Sequence, residues 1–232
     1  MTRLSLTFDN GPTPKATDEI VAALASRGVT ATFFMVGSAL LSPVGTDTAR
    51  RVLNAGHAIG NHTMTHGRPL GEGADLPRVE AEIGVAQEIL DGLGVQDRLF
   101  RPNGRGRLGP HLLSAATVSY LVRHRFTVVT WNCVVQDWRD PPHIWMERAL
   151  RALRSTDWTV LVLHDEHVSR QLPELLAQAL DAGVEITTEF PTSCVPIRAG
   201  HVQWELEGAV ANGLDMHNRL DDRSRRSQTR PG

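Results

Sequence analysis

An α/β fold in which a parallel sheet curls into a distorted, incomplete (β/α) barrel of about seven strands is the architecture this sequence predicts. Three observations carry that expectation. Short segments of strand composition alternate with amphipathic helical segments about seven times, the pattern of successive βαβ units. The 232 residues suit a single barrel-type domain and contain no internal repeat. Five of the strand segments run out into polar residues of catalytic type, and parallel α/β folds gather their chemistry at the C-terminal ends of strands.

The elements follow in order. Residues 4–8 (LSLTF) suit a buried strand and lead into Asp9-Asn10-Gly11-Pro12. Residues 14–27 place Ile20, Val21, Leu24 and Ala25 on one side of a helix, which Gly28 closes at the C′ position. Residues 31–36 (ATFFMV) form a second strand, and residues 47–55 a helix ended by Gly56. Residues 57–61 form a short strand entering HTMTHG, with His57 at a core position. Residues 78–90 form a charged amphipathic helix ended by Asp91-Gly92. A brief strand at 99–101 precedes the glycine-rich loop PNGRGRLGP, and residues 111–123 are helical. Residues 126–135 (FTVVTWNCVV) are β-prone throughout and predict one continuous strand. A helix at 143–153, a strand at 158–163 (WTVLVL), a helix at 171–182 and a last strand at 184–188 complete the pattern. Residues 1–200 are expected to be one domain and residues 201–232 an extension; from residue 215 the chain has little apolar content and is expected to fray.

Composition narrows the function. Apolar residues make up 41% and charged residues 22%, enough for a sizeable core. A net charge of −2 gives no footprint for nucleic acid or an anionic membrane, so the expected partner is a small molecule or oligosaccharide, with the oligomeric state left open. The two cysteines, Cys133 and Cys194, do not make a disulfide framework and are compatible with a reducing compartment. No secretory pattern and no membrane-length apolar run is seen, which predicts a cytoplasmic location if the first residue is the native start.

The strand endings supply the chemistry. His62 and His66 are spaced i, i+4, which on one helical turn brings two imidazoles to one metal ion. Imidazole suits zinc, and also cobalt, nickel and iron. Asp9 and Asn10 are the nearest oxygen donors. Cys133 lies mid-strand as a small buried hydrophobe with no base beside it in sequence. No Gly-x-Ser-x-Gly elbow or phosphate loop is present. Trp131, Trp145 and Trp158 are assigned to the core, Trp138 to the pocket wall, and His167 to the solvent-facing surface.

Five short motifs, TFDNGP, NHTMTH, the Arg101-Pro102 loop, Asp137-Trp138 and the VLH ending in His164, together resemble the NodB-type polysaccharide deacetylases of carbohydrate esterase family 4, in order and in spacing. The resemblance spans residues 4–188; its first two motifs are specific and the last three short. It implies the incomplete barrel, and it implies a metal-dependent N-deacetylase of amino sugars in chitin, peptidoglycan and related glycans, some relatives hydrolysing cyclic amides instead. Carried onto this chain, it implies Asp9 as general base and Asn10, His62 and His66 at the metal-ligand positions, the metal being a divalent cation and zinc in the first instance. It further implies Arg101 as brace of the base, Asp137 as orienter of the acid and His164 as general acid. Asn103, Gly104 and Trp138 fall on the substrate side, with a backbone N–H at 103–104 facing the oxyanion.

Four of the five motifs depart from the family pattern, the fifth only in having Val162 for leucine, a swap of one core residue for another. Asn10 stands where the family usually has a metal-binding aspartate, as it does in some members acting on muramoyl residues. Asn103-Gly104-Arg105 replaces Pro-Tyr-Gly, removing an aromatic wall; Arg105 and Arg107 in this loop are expected to be solvated, contact with an acidic or phosphorylated substrate being the alternative. Val134 replaces an earlier aspartate of the fourth motif. These departures bear on the substrate, and three functions follow: an amidase releasing an N-acyl, in the first instance N-acetyl, group from an amino sugar or glycan; a hydrolase of a non-sugar C–N bond such as a cyclic imide or ureide; and a catalytically inactive carbohydrate-binding relative.

Overall fold

The computed structural model describes residues 2–203. Eight strands run parallel: β1 (Arg3–Asp9), β2 (Thr32–Met35), β3 (Ala58–Asn61), β4 (Leu99–Phe100), β5 (Thr127–Val128), β6 (Cys133–Val134), β7 (Trp158–His164) and β8 (Glu185–Thr187). Two short strands, β9 (Ile197–Arg198) and β10 (His201–Val202), are added antiparallel beside β5. The helices are α1 (Pro14–Ala25), α2 (Pro43–Asn54), α3 (Leu76–Val79), α4 (Val85–Gly92), α5 (Ala115–Arg123), α6 (Pro142–Ser155), α7 (Asp165–Val168) and α8 (Leu172–Asp181). Each of the seven strand segments expected from sequence contains a strand. The expected extension from residue 201 contributes β10, and its part from 204 onward lies outside the described residues.

The strand order is β10-β9-β5-β4-β3-β2-β1-β7-β6, with β8 beside the first half of β1. This order forces the sheet to curl. From β5 to β6 the path crosses six strand spacings, roughly 29 Å if flat. Only residues 129–132 join them in sequence, and five residue steps reach about 17 Å at most. The expectation of one strand over 126–135 is therefore corrected. The backbone leaves its neighbours after Val129, whose N–H donates to the Phe100 carbonyl at 2.9 Å, and Thr130 N–H turns to the Cys194 carbonyl at 2.8 Å. Asn132 then fastens the far edge: its side-chain oxygen accepts from Val160 N–H at 2.7 Å and its amide donates to the Trp158 carbonyl at 2.9 Å.

Alternation along β1 explains how the core and the site share one strand. Leu4, Leu6 and Phe8 pack under α1, α2, α6 and α8 with Ile20, Val52, Trp145 and Leu176. Ser5, Thr7 and Asp9 occupy the other face, inside the curl. A second apolar cluster, including Phe100, Phe126, Trp131 and Ile197, fills that interior below the strand ends. Helix α2 begins at Pro43, earlier than expected, because Ser42 caps it by accepting from Gly45 N–H and proline suits the first helical position. Among the described residues no helix is long and apolar enough to cross a membrane.

Candidate functional site

Asp9, Asn10, His62, His66, Asn103, Gly104, Trp138 and His164 line one cavity of about 530 Å³ at the C-terminal ends of the strands. Asp9 ends β1 and pairs in register with His164 at the end of β7, so their side chains emerge side by side. Arg101, fully buried, follows β4 and reaches across the curl. Its Nη1 donates to Asp9 Oδ1 at 2.9 Å and to Thr7 Oγ1 at 2.6 Å, Thr7 being two residues before Asp9 and therefore on the same face. The Val129 and Thr130 carbonyls accept from its remaining N–H groups at 3.3 and 3.4 Å, and its guanidinium lies 4.1 Å from the Phe34 ring centroid. Burial pushes the Asp9 carboxyl up, but Arg101 beside it, aided by His62 and His164, holds it below the usual carboxylate range.

The His62 and His66 ring centroids are 4.9 Å apart. They are not on a helix: residues 62–66 form a loop turn, with Thr63 at φ 68° and His66 at φ 52°, which corrects the helical expectation while keeping the two rings together. His62 Nδ1 lies 2.8 Å from the Arg101 carbonyl, the geometry of an N–H donating to it, which leaves Nε2 with its lone pair toward Asp9 Oδ2, 3.8 Å away. Burial pushes the His62 imidazole down to about 4 and lowers His66 as well, so both are neutral donors at neutral pH. Asn10, at φ 71°, is exposed at the cavity rim. Two neutral imidazoles and an amide oxygen beside a carboxylate fit a borderline divalent cation such as zinc. Among the described residues no set of three His, Cys, Asp or Glu side chains forms such a site, and Asn10 lines the same cavity as the two imidazoles.

Asp137 follows β6 and is buried against the end of β7. Its Oδ2 accepts from His164 N–H at 2.7 Å, and its Oδ1 lies 3.0 Å from His164 Nδ1. Burial pulls the His164 imidazole down, but the hydrogen bond and charge of Asp137, with Asp9 and Asp165 nearby, outweigh this and hold it above its ordinary value. Trp138 meets His164 edge-on with centroids 4.8 Å apart, and at 41% exposure it presents a ring to the cavity. Asn103 is buried and donates to the Gly67 carbonyl at 2.6 Å, tying the third motif to the histidine loop. His167 is exposed, as expected, and also lines the cavity.

The aromatic wall missing from the third motif is supplied from elsewhere. A Cβ at Gly104 would lie 2.4 Å from Trp131 Cη2 and 2.7 Å from Leu112 Cδ2, so the Trp131 ring occupies that space. Trp131 is buried as expected, yet it also lines the cavity; Trp145 is fully buried and Trp158 half-buried. Arg105 lines the cavity and pairs loosely with Glu72 at 3.6 Å. Among the described residues Cys133 and Cys194 are both free thiols, and burial raises Cys133 to about 11.

The sequence assigned no role to three contributors. Thr7 was legible in principle from its two-residue offset to Asp9. Asp165, pushed up to about 6 by burial, binds the Thr17 hydroxyl under the Gly11 turn, where any Cβ would lie 2.5 Å from its Oδ2. Glu82, remote in sequence, holds the histidine loop through three hydrogen bonds.

The sequence profile of the polysaccharide deacetylase family matches residues 2–120. A chitooligosaccharide deacetylase of Rhizobium leguminosarum bv. trifolii is 33% identical over 136 residues, 59% of this chain and 59% of its own. The peptidoglycan-N-acetylmuramic acid deacetylase PdaC of Bacillus subtilis is 26% identical over 189 residues, 80% of this chain and 37% of its own. The matched region thus spans only part of these curated relatives. Among solved structures, a family 4 carbohydrate esterase from Streptomyces lividans in complex with acetate superposes with a TM-score of 0.69 at 25% identity, covering 84% of this chain and 96% of the other. With the profile spanning half its length and the curled sheet shared with that esterase, the chain belongs to the polysaccharide deacetylase family.

Proposed function

We propose that this protein is a divalent-metal-dependent hydrolase that removes an N-acyl group, in the first instance acetyl, from an amino sugar of a glycan or oligosaccharide. The observation that carries the proposal is the convergence of an ionised Asp9, the His62–His66 pair and a His164–Asp137 pair on one cavity. Amide hydrolysis needs a base, an electrophile and an acid, and these groups supply the first and last and hold the second. His62, His66 and Asn10 would hold the cation, zinc by the chemistry of the donors. The bound cation supplies Lewis acidity toward the acyl oxygen and lowers the pKa of water.

The rest is done by this chain's own side chains. Asp9, kept ionised by Arg101, takes a proton from the attacking water. His164, whose imidazolium form Asp137 favours, gives a proton to the departing sugar nitrogen, without which an amide does not leave. The backbone at Asn103 and Gly104 faces the developing oxyanion. Trp138 and Trp131 offer ring faces to a sugar. The relatives named for chitooligosaccharide and peptidoglycan N-acetyl sugars support this substrate class. Incubation of the zinc-loaded chain with N-acetylglucosamine oligomers is expected to release acetate, and Asp9→Ala is expected to abolish the release. Zinc-loaded protein that opens cyclic imides and leaves every N-acetyl sugar intact overturns the proposal.

A further inference from the structure

The helical segment from Leu76 to Gly92 is interrupted by a π turn over Glu80–Gly84, closed by Val85 N–H on the Glu80 carbonyl. Such turns insert an extra residue into an α-helix and re-aim the side chains around it; they recur at functional sites. Two groups of this turn reach the histidine loop. The Ile83 carbonyl accepts from Asn61 Nδ2 at 3.0 Å, while Asn61 Oδ1 accepts from Thr63 N–H at 2.9 Å. The Glu82 carboxylate accepts from Met64 N–H at 3.1 Å, from Thr65 N–H at 3.0 Å and from the Thr65 hydroxyl at 2.6 Å.

The segment held in this way is the link between His62 and His66. It is also strained: Thr63, a β-branched residue, sits at φ 68° and His66 at φ 52°, conformations that cost about 1–2 kcal/mol each and persist only where surroundings over-determine them. A carboxylate receiving two backbone N–H groups and a hydroxyl is a strong clamp for such a turn, because charge-assisted bonds are roughly twice as strong as neutral ones. Glu82 is half-buried and does not line the cavity.

We propose that Glu82 is a positioning residue: from the π turn it clamps the 62–66 loop and so fixes the spacing of the two imidazoles that receive the divalent cation. It touches neither cation nor substrate, and its consequence for catalysis rests on the function proposed above. Residues that orient metal ligands from outside are worth about 10–100-fold in metal affinity. The test uses the full chain as wild type, Glu82→Ala and Glu82→Gln. Zn²⁺ affinity is read by competition with a chelating dye, amide exchange by NMR and global stability by thermal melting. In Glu82→Ala the Met64 and Thr65 amides are expected to lose protection and Zn²⁺ affinity to fall about tenfold or more, with Glu82→Gln intermediate in both. Zn²⁺ affinity within twofold of wild type despite lost amide protection overturns the proposal, as does retained protection. An affinity loss that merely tracks melting temperature, with both amides still protected, also overturns it. A wild-type chain that binds no Zn²⁺ defeats the proposed function instead. The clamp is then judged on the metal-free protein, where broadened His62 and His66 ring signals in Glu82→Ala support it and unchanged ones overturn it.

Discussion

Replacing Arg101 by methionine is expected to be among the costliest single changes in the described chain. The Arg101 side chain is 0% exposed and that of Asp9 6%, so solvent replaces the guanidinium poorly when it is removed. Of the groups that remain, His62 Nε2 lies 3.8 Å from Asp9 Oδ2 but is kept neutral near pH 7 by burial, which leaves His164 beside Asp9 as a weaker substitute for the guanidinium. Breaking a buried pair from one side costs about 3–5 kcal/mol, because it leaves a charge without its partner. Methionine fills part of the volume between Phe34 and Trp131, so the electrostatic loss dominates over the packing loss. Urea unfolding at pH 7, extrapolated linearly, reads the cost. The pH dependence has a definite sign. In wild type the Asp9 pKa is depressed below its unfolded value of about 3.9, so its contribution is complete above that value and is lost as pH falls through the folded pKa. In Arg101→Met the main opposition to burial is gone and only His62 and His164 offset it, so the folded pKa rises and acid relieves the variant before it harms wild type. The stability gap therefore narrows as pH is lowered from 7. Adding Asp9→Asn to Arg101→Met removes the stranded charge and is expected to restore part of the loss. A cost below about 1 kcal/mol, a gap that is constant with pH, or a double variant no better than Arg101→Met refutes the reasoning.

Three other changes test separate parts of the site. With His164 as the acid, kcat falls as pH rises through its raised pKa, and Asp137→Asn is expected to move that basic limb to lower pH; an unmoved limb in initial-rate profiles removes Asp137 from the assignment. Asn10→Asp adds a negative donor and is expected to bind Zn²⁺ more tightly in a competition titration, equal or weaker binding counting against Asn10 as a ligand. Gly104→Ala places a Cβ 2.4 Å from Trp131 and is expected to cost about 1–3 kcal/mol by thermal melting, whereas wild-type stability would mean that the Trp131 ring is free to withdraw.

Residues whose neighbours are fixed locally were legible in the sequence. In β1 every position suits a buried strand, whereas Asp9-Asn10-Gly11-Pro12 taken alone suits an ordinary turn, and Asp9 reads as a site residue only because five strands end in such residues around one rim. The His62–His66 spacing predicted proximity correctly and conformation wrongly. Spacing i, i+4 satisfies a helix, but Asn61 and Thr63 offer side-chain hydrogen bonds that compete with one, and they win here by bonding the turn. Glu82 was illegible for a different reason. Nothing in a charged amphipathic helix shows that one carboxylate will meet a loop 17 residues earlier, since that depends on a π turn which composition does not encode. Trp131 was read as core, and correctly so, but its second role at the cavity wall depends on Gly104 leaving room for it.

The break in residues 126–135 is the least legible feature and also the one on which the site most depends. β-propensity is uniform along that stretch, so local preference favours one strand. Had it continued β5, Asp137 would belong to the edge beside β4, five strand spacings from β7 and roughly 24 Å from His164 in a flat sheet. Asp9 would keep Arg101, because both lie on strands whose order does not change, but His164 would lose the carboxylate that raises its pKa. Burial would then act on the imidazole with less opposition and pull it down. Two titrating groups side by side on β1 and β7 are driven in opposite directions only because their partners arrive from opposite sides of the curl, Arg101 from β4 and Asp137 from β6. Closure of the sheet is thus the step that turns a row of polar strand ends into a base and an acid, and Asn132, which bonds both Trp158 and Val160 across the seam, is where that step is fastened.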